Sequence, residues 1–175
     1  MASGNIGAVK NAHLVAILLI LCSLSADARL NDSRLDLTQR FGQPRAEKMD
    51  QFFGSRECTF SHDGWTIRAW LINGRCHRIS YSNSAAGSAG MTEAQIVSLM
   101  ESNADGATWK KDLSQENMAT VLMGRFTNHH YSRSDQKAYC VKGGSSLTFK
   151  SDHWITLEVR AKAEKMGPAT AVPDF

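Results

Sequence analysis

At 175 residues, with 20 Lys and Arg against 17 Asp and Glu, the chain has the length of one domain with a single core and carries a net charge of only +3. That mild excess is spread along the sequence and not gathered into a basic stripe, so nothing in it demands a polyanion and nucleic-acid binding is not expected.

Residues 1–28 read as an export leader. Lys10 gives a positive start, Leu14 to Leu24 form an apolar run of about eleven residues, and Ala26-Asp27-Ala28 has the small-x-small form of a signal-peptidase site. The run falls well short of the roughly 20 residues a helix needs to cross a hydrocarbon layer, so no transmembrane anchor is expected after cleavage. Cys22 follows Leu21, where a lipidated cysteine wants a small residue before it. Soluble export, periplasmic or extracellular, is the reading. Cleavage after Ala28 removes Lys10 and Asp27 together and leaves 147 of the 175 residues at unchanged net charge. It also leaves Cys58, Cys76 and Cys140, an odd number for an oxidising compartment, so one thiol stays free or pairs outside the chain.

The first unit, 29–82, opens with a short helix. Asp32 or Ser33 can cap it, Leu37 and Phe41 stand four apart on one face, Gly42 ends it and Pro44 prevents its resumption. From Glu57 the period changes to two. Glu57–Ser61, Trp65–Leu71 and Arg75–Tyr81 are short runs rich in β-branched and aromatic residues, separated by Asp63-Gly64 and Asn73-Gly74. This is a three-stranded meander. Alternation puts Trp65, Ile67, Ala69 and Leu71 on the core face, with Thr66, Arg68 and Trp70 opposite. Ile79 and Tyr81 join the core face if the Asn73-Gly74 turn has three residues and a bulge, which is the form predicted.

Residues 83–90, a Ser/Ala/Gly run, read as a flexible connector. The second unit, 91–160, opens with a helix. Thr92 is its cap with Gln95 three residues on, Met91 and Ile96 form a hydrophobic staple, and Ile96, Leu99 and Met100 are the buried stripe. Asn103 to Gly106 end it and Trp109 follows as a core anchor; Lys110-Lys111 beside it is read as a solvated turn. Residues 114–126 fit a helix capped at Ser114 or a strand through Ala119–Met123, with the β-branched cluster before Gly124 favouring strand or irregular structure. Ala138–Val141, Ser146–Phe149 and Trp154–Val159 read as strands, and 161–175 as a disordered tail.

The expected fold is therefore α+β, two helix-plus-antiparallel-meander units packed as one domain behind a cleavable signal peptide. At Leu37–Pro44, with its Phe-Gly-x-Pro turn, and in the strand pair ending in Asn73-Gly74-Arg75-Cys76, the chain resembles a class of small exported bacterial proteins. In outline it is also similar to outer-membrane lipoproteins of the SmpA/OmlA type and to β-lactamase inhibitor protein. The resemblance covers about residues 35–81 and, more loosely, 91–159, and it implies units that mediate protein contacts. The chain departs from the lipoproteins in lacking a lipidation site and in its doubled layout.

Candidate chemistry is sparse. His62, His129-His130 and His153 sit in inviting contexts, but adjacent histidines on a strand point to opposite faces and on a helix diverge by about 100°, so no metal site is predicted. No glycine-flanked serine elbow, papain-like cysteine box or zinc-protease helix is present, and no cofactor is implied. Arg68 and Trp70, opposite the core face, are the candidate binding residues: an aromatic there is either covered by a second layer or offered to a partner, and Trp and Arg are the types most enriched at interface hot spots. The function read from the sequence is an exported, non-catalytic protein that binds another protein or an envelope component or has a structural role there. The alternative is a secreted hydrolase whose site is assembled from dispersed His, Asp and Cys.

The meander also constrains the thiols. Cys58 on the first strand and Cys76 on the third are separated by the middle strand, roughly 9 to 10 Å, against the ~7 Å limit between Cα atoms of a disulfide. A peptide map of the unreduced protein should contain no Cys58–Cys76 link; finding one would overturn the meander.

Overall fold

The computed structural model describes residues 29–51, 53–83, 90–113 and 128–166. Along them run α1 (Arg34–Phe41), β1 (Ala46–Asp50), β2 (Ser55–His62), β3 (Trp65–Ile72), β4 (Arg75–Asn83), α2 (Glu93–Ser102), β5 (Trp109–Lys111), β6 (His129–Arg133), β7 (Ala138–Lys142), β8 (Ser146–Ser151) and α3 (Asp152–Met166). The leader, residues 84–89 of the connector, the ambiguous stretch 114–126 and the end of the tail lie outside the described residues.

Local chemistry fixes the first two helices. Ser33 Oγ accepts from the Asp36 amide while the Asp36 carboxylate accepts from the Ser33 amide, and Gly42 closes α1 with φ +81°. Thr92 and Gln95 make the same reciprocal box at the start of α2. Leu37 and Phe41 of α1 and Ile96 and Leu99 of α2 are the buried positions.

The strands form one antiparallel sheet in the order β1-β2-β3-β4-β8-β7-β6-β5. The two small sheets expected, one for each unit of the domain, are corrected to one: β8 pairs with β4 through Ile79↔Phe149, Ser80↔Thr148 and Tyr81↔Leu147, so both halves of the chain share a single sheet. One face carries Cys58, Phe60, Ile67, Ala69, Leu71, Cys76, Ile79, Tyr81, Cys140, Leu147 and Phe149, which pack with α1 and α2 into the main core. Trp70 and Ile72 face the other way and pack with Trp154 of α3, giving a second, smaller core. Among the described residues no helix is long and apolar enough to cross a membrane.

Three further readings change. Trp154–Val159, expected as a strand, is the start of α3, and the helix continues through residues 161–166, the first part of the expected tail. Its buried Trp154 and Ala161, with Leu157 packed beside Trp154, stand at helical spacing, and Ser151 Oγ accepts the Trp154 amide at 3.2 Å in the manner of a cap. Ala46–Asp50, not anticipated as a strand, is the exposed edge strand β1. Finally, Asn73-Gly74 is a two-residue turn with positive φ at both positions, pairing Ile72 with Arg75. The extra residue sits further along: Leu71 opposes Cys76 but Trp70 opposes Arg78, so His77 is the bulge. Ile79 and Tyr81 thereby reach the core face, at 0% and 2% exposure.

Trp154 is 1% exposed, with its ring centroid 5.1 Å from Phe53 and 6.2 Å from Trp70. Trp154→Ala is expected to lower the unfolding free energy by about 3–5 kcal/mol in denaturant titration, where a helix merely resting on the sheet would lose less than ~1 kcal/mol.

Candidate functional site

The two sequence-nominated residues part company in the structure. Trp70 is only 8% exposed, covered by α3, and Arg78 lies across its ring with the guanidinium carbon 4.2 Å from the ring centroid and 5.6 Å from that of Trp154. Burial pushes the Arg78 pKa down, and Glu158 and Glu57 pull it back up. The Glu158 carboxylate is held by Lys150 Nζ at 2.8 Å and by Trp154 Nε1 at 2.8 Å. Burial raises its pKa, but those donors outweigh burial and leave it below the ordinary carboxylate value. Arg68 remains exposed on the same side of the sheet.

Beside α3 that outer face continues as a field of hydroxyls. The register lines up Thr59, Arg68, Ser80 and Thr148 in one row and Ser61, Thr66, Ser82 and Ser146 in the next. The seven hydroxyl residues are partly exposed. Ser80 Oγ and Thr148 Oγ1 share a hydrogen bond at 2.9 Å, and Ser82 Oγ donates to the Thr66 carbonyl at 3.3 Å. Arg68 also borders a small hollow of about 280 Å³ with Lys48 and Glu57, which are ion-paired at 3.0 Å.

A second feature arises where β4 changes partner. At its start Cys76 exchanges main-chain hydrogen bonds with Asn31 and Asp32, at 2.7 and 2.9 Å, and from Arg78 onward β4 pairs with β8. The His77 bulge sits at this fork, and a cleft of about 700 Å³ opens there. Its walls come from Arg29–Asn31, the C-terminal end of α2, Arg133, Lys137 and Ser151. Arg133, 6% exposed, grips both oxygens of Asp135 at 2.9 Å and donates to the Asn103 carbonyl at 3.2 Å. Those bonds hold the Asp135 carboxyl below its ordinary range. Asn103 Nδ2 donates to the Leu99 carbonyl while its Oδ1 accepts the Leu30 amide, both at 3.0 Å, tying α2 to the N-terminal segment.

His77 Nδ1 lies 3.0 Å from Ser151 Oγ, and its ring centroid is 4.8 Å from that of His153. Burial, then the neighbouring His153, push the His77 pKa below its ordinary value. Ser151 Oγ already accepts the Trp154 amide, and Cys76 is a buried thiol whose Sγ donates to the Arg78 carbonyl at 3.2 Å. Burial drives its pKa far up, so a thiolate is strongly disfavoured. The arrangement favours a neutral imidazole and polar recognition in the cleft over an activated nucleophile.

The remaining motifs settle into structural places. His62 packs edge-on to Phe41 at 5.6 Å, and His129 and His130 are successive residues of β6. Trp109 Nε1 donates to the Met100 carbonyl at 2.7 Å, while Lys110 and Lys111 lie exposed on edge strand β5 and not in a turn. Among the described residues no three His, Cys, Asp or Glu side chains gather as metal ligands. The fork and its cleft were missed at sequence level, since a bulge three residues past Gly74 leaves no compositional mark.

No family model matches the sequence, and no curated protein matches it. Among solved structures, the chain is similar to an extracellular protein containing an SCP domain from Bacillus anthracis, with TM-score 0.41 and 7% identity over 74% of this chain and 46% of that one. It is similar also to a cysteine-rich secretory protein from Staphylococcus aureus, with TM-score 0.37 and 15% identity over 71% of this chain and 45% of that one. The chain thus spans a little under half the length of each of these two structures.

Because the folded state lowers the His77 pKa, the unfolded chain takes up the proton more readily as pH falls. The stabilising contribution is complete above the unfolded value near 6.5 and is lost as pH drops toward the folded value. Urea midpoints should therefore decline as pH falls below about 6.5, and His77→Gln should flatten that part of the profile; an unchanged slope in the variant would exclude His77 as the source.

Proposed function

We propose that the chain is exported, loses residues 1–28, and acts in the periplasm or outside the cell as a non-catalytic binding protein. Its contact surface is the hydroxyl-rich part of the outer sheet face around Arg68. The observation that carries this reading is the contrast across one face of the sheet. α3 packs over Trp70 and leaves it 8% exposed, whereas the adjoining rows present seven partly exposed Ser and Thr residues around an exposed arginine. A flat lattice of donors and acceptors on a rigid sheet suits a polar macromolecular partner, a protein or envelope component, better than a small apolar ligand, which needs a concave apolar pocket. Export is supported by the leader, and the helix-plus-meander resemblance supports protein contact.

One observation favours the hydrolytic alternative: His77 and Ser151 stand within hydrogen-bond reach inside the cleft of about 700 Å³. Against it, Ser151 Oγ is occupied as a helix-capping acceptor, and His77 has a second histidine beside it in place of the carboxylate that orients a triad base.

Affinity capture with the exported protein from its native envelope fraction tests the binding reading. Arg68→Ala should retain the fold, with stability within about 0.5 kcal/mol of the parent, and weaken retention of the captured partner about tenfold or more. Equal capture by parent and variant would sink the assignment of this face.

A further inference from the structure

The first turn of the described chain holds an arrangement that the export reading alone does not require. The main-chain nitrogen of Arg29 donates to Asp32 Oδ2 at 2.8 Å, and Arg40 Nη1 reaches the same oxygen at 3.1 Å. The Asp32 side chain is only 12% exposed. The residues that follow are pinned in succession. The Leu30 amide donates to Asn103 Oδ1, the Asn31 amide to the Cys76 carbonyl and the Cys76 amide to the Asp32 carbonyl, and Ser33 bridges to Arg75. Arg29 is therefore held at the rim of the cleft with no slack between it and the sheet.

The small-x-small pattern ends at Ala28, so the Arg29 nitrogen is the atom that cleavage turns from an amide into an amine. We propose that Asp32 is the receptor for the amino terminus created by leader removal, and that processing converts an amide hydrogen bond into an ammonium–carboxylate pair that locks the N-terminal segment onto the cleft rim. This rests on the export reading. In the cleavage, a membrane signal peptidase adds water across the Ala28–Arg29 bond. The C–N bond breaks, the water oxygen stays on the Ala28 carbonyl carbon, and both water hydrogens end on the Arg29 nitrogen, leaving a carboxylate on one product and an ammonium on the other. No redox partner is involved.

The chemistry of the receptor fits. A carboxylate withdrawn from water needs compensating charge, and burial acts on Asp32 more strongly than the Arg29 amide and Arg40 do, so its pKa stays above the ordinary value. A second cation 2.8 Å away supplies what the amide cannot. The other charged groups nearby are Asp36 and the Arg29 guanidinium, which also act on Asp32, and Glu101, Asp105, Arg133 and Lys137 along the cleft. Processing thus adds one positive charge to the cleft rim and ties it down in the same step.

The test uses the full-length chain expressed in an exporting bacterial host. The exported product is sequenced from its N-terminus, then pulsed with an amine-acetylating reagent near neutral pH, with internal lysines as controls. The expected product begins at Arg29. Its α-amine should be acetylated about tenfold more slowly in the parent and in Asp32→Glu than in Asp32→Asn, one pKa unit being a tenfold change in the neutral amine. Should Asp32→Asn fail to fold, the parent is compared folded and in urea, with protection expected only when folded. A product starting at Arg29 whose amine reacts equally in all forms, or an exported product starting elsewhere, overturns the receptor while leaving export standing. Intact Met1 in the cytosol overturns both.

Discussion

The ladder between β4 and β8 is the contact on which the rest of the molecule depends. It joins residues 78–82 to 146–150 across more than sixty intervening positions, and each of its pairs does a different job on the two faces. Ile79↔Phe149 and Tyr81↔Leu147 fuse the apolar surfaces of the two halves into one core, with the Tyr81 and Phe149 rings edge to face at 6.1 Å. Arg78↔Lys150 and Ser80↔Thr148 lie on the other face, where the first pair sits beneath α3 and the second in the open hydroxyl lattice. Without this ladder each half would present an unpaired edge in mid-molecule, the arrangement that invites association with another chain. With it, the edges are short β5 and the charged β1, whose Glu47 pairs with both Arg34 and Arg56 and whose Lys48 pairs with Glu57.

The same ladder explains the cleft. β8 begins to pair with β4 only at Arg78, while Cys76 is bonded to Asn31 and Asp32. His77 belongs to neither ladder and becomes the extra residue. A bulge re-aims the side chains beyond it, which is why Cys76 and Ile79, three apart, both point into the main core while Arg78 turns toward Trp70. The fork, the tilted contact of the His77 and His153 rings and the α3 cap at Ser151 are thus one construction, set by where two strands begin to share an edge.

What the sequence disclosed follows the same division between local and long-range physics. A cap at Asp32 or Ser33, the capping box at Thr92, the positions of the turns at Gly64 and Gly74, though not the form of the second, and the alternation through β3 are decided within a few residues and were legible. The β4–β8 pairing is decided by the whole core and left no mark that a reading of either half could detect. β1 has neither alternation nor β-branched residues because both its faces meet solvent; only backbone pairing with β2 makes it a strand. Trp154–Val159 was misread because Ile155, Thr156 and Val159 favour strands locally. Trp154, Leu157 and Ala161 also fit a helical stripe, and tertiary burial of Trp154 decides between the two periods. Of the candidate residues, Arg68 and Trp70 were placed on the correct face, but what covers that face depends on the helix that was not foreseen.

Cys58, Cys76 and Cys140 are unpaired and buried on the core face of β2, β4 and β7. Burial is the leading cause that raises the pKa of each thiol. The nucleophile in disulfide chemistry is the thiolate, so these sulfurs are protected in the folded state by the same desolvation that makes them good core residues. A chain of this length buries enough apolar surface to fold without covalent staples. Three buried free thiols are therefore compatible with an oxidising compartment provided that the core closes before they meet an oxidant. That condition falls on the β4–β8 ladder, since Cys76 lies beside its start and Cys140 lies opposite Phe149 on the next strand.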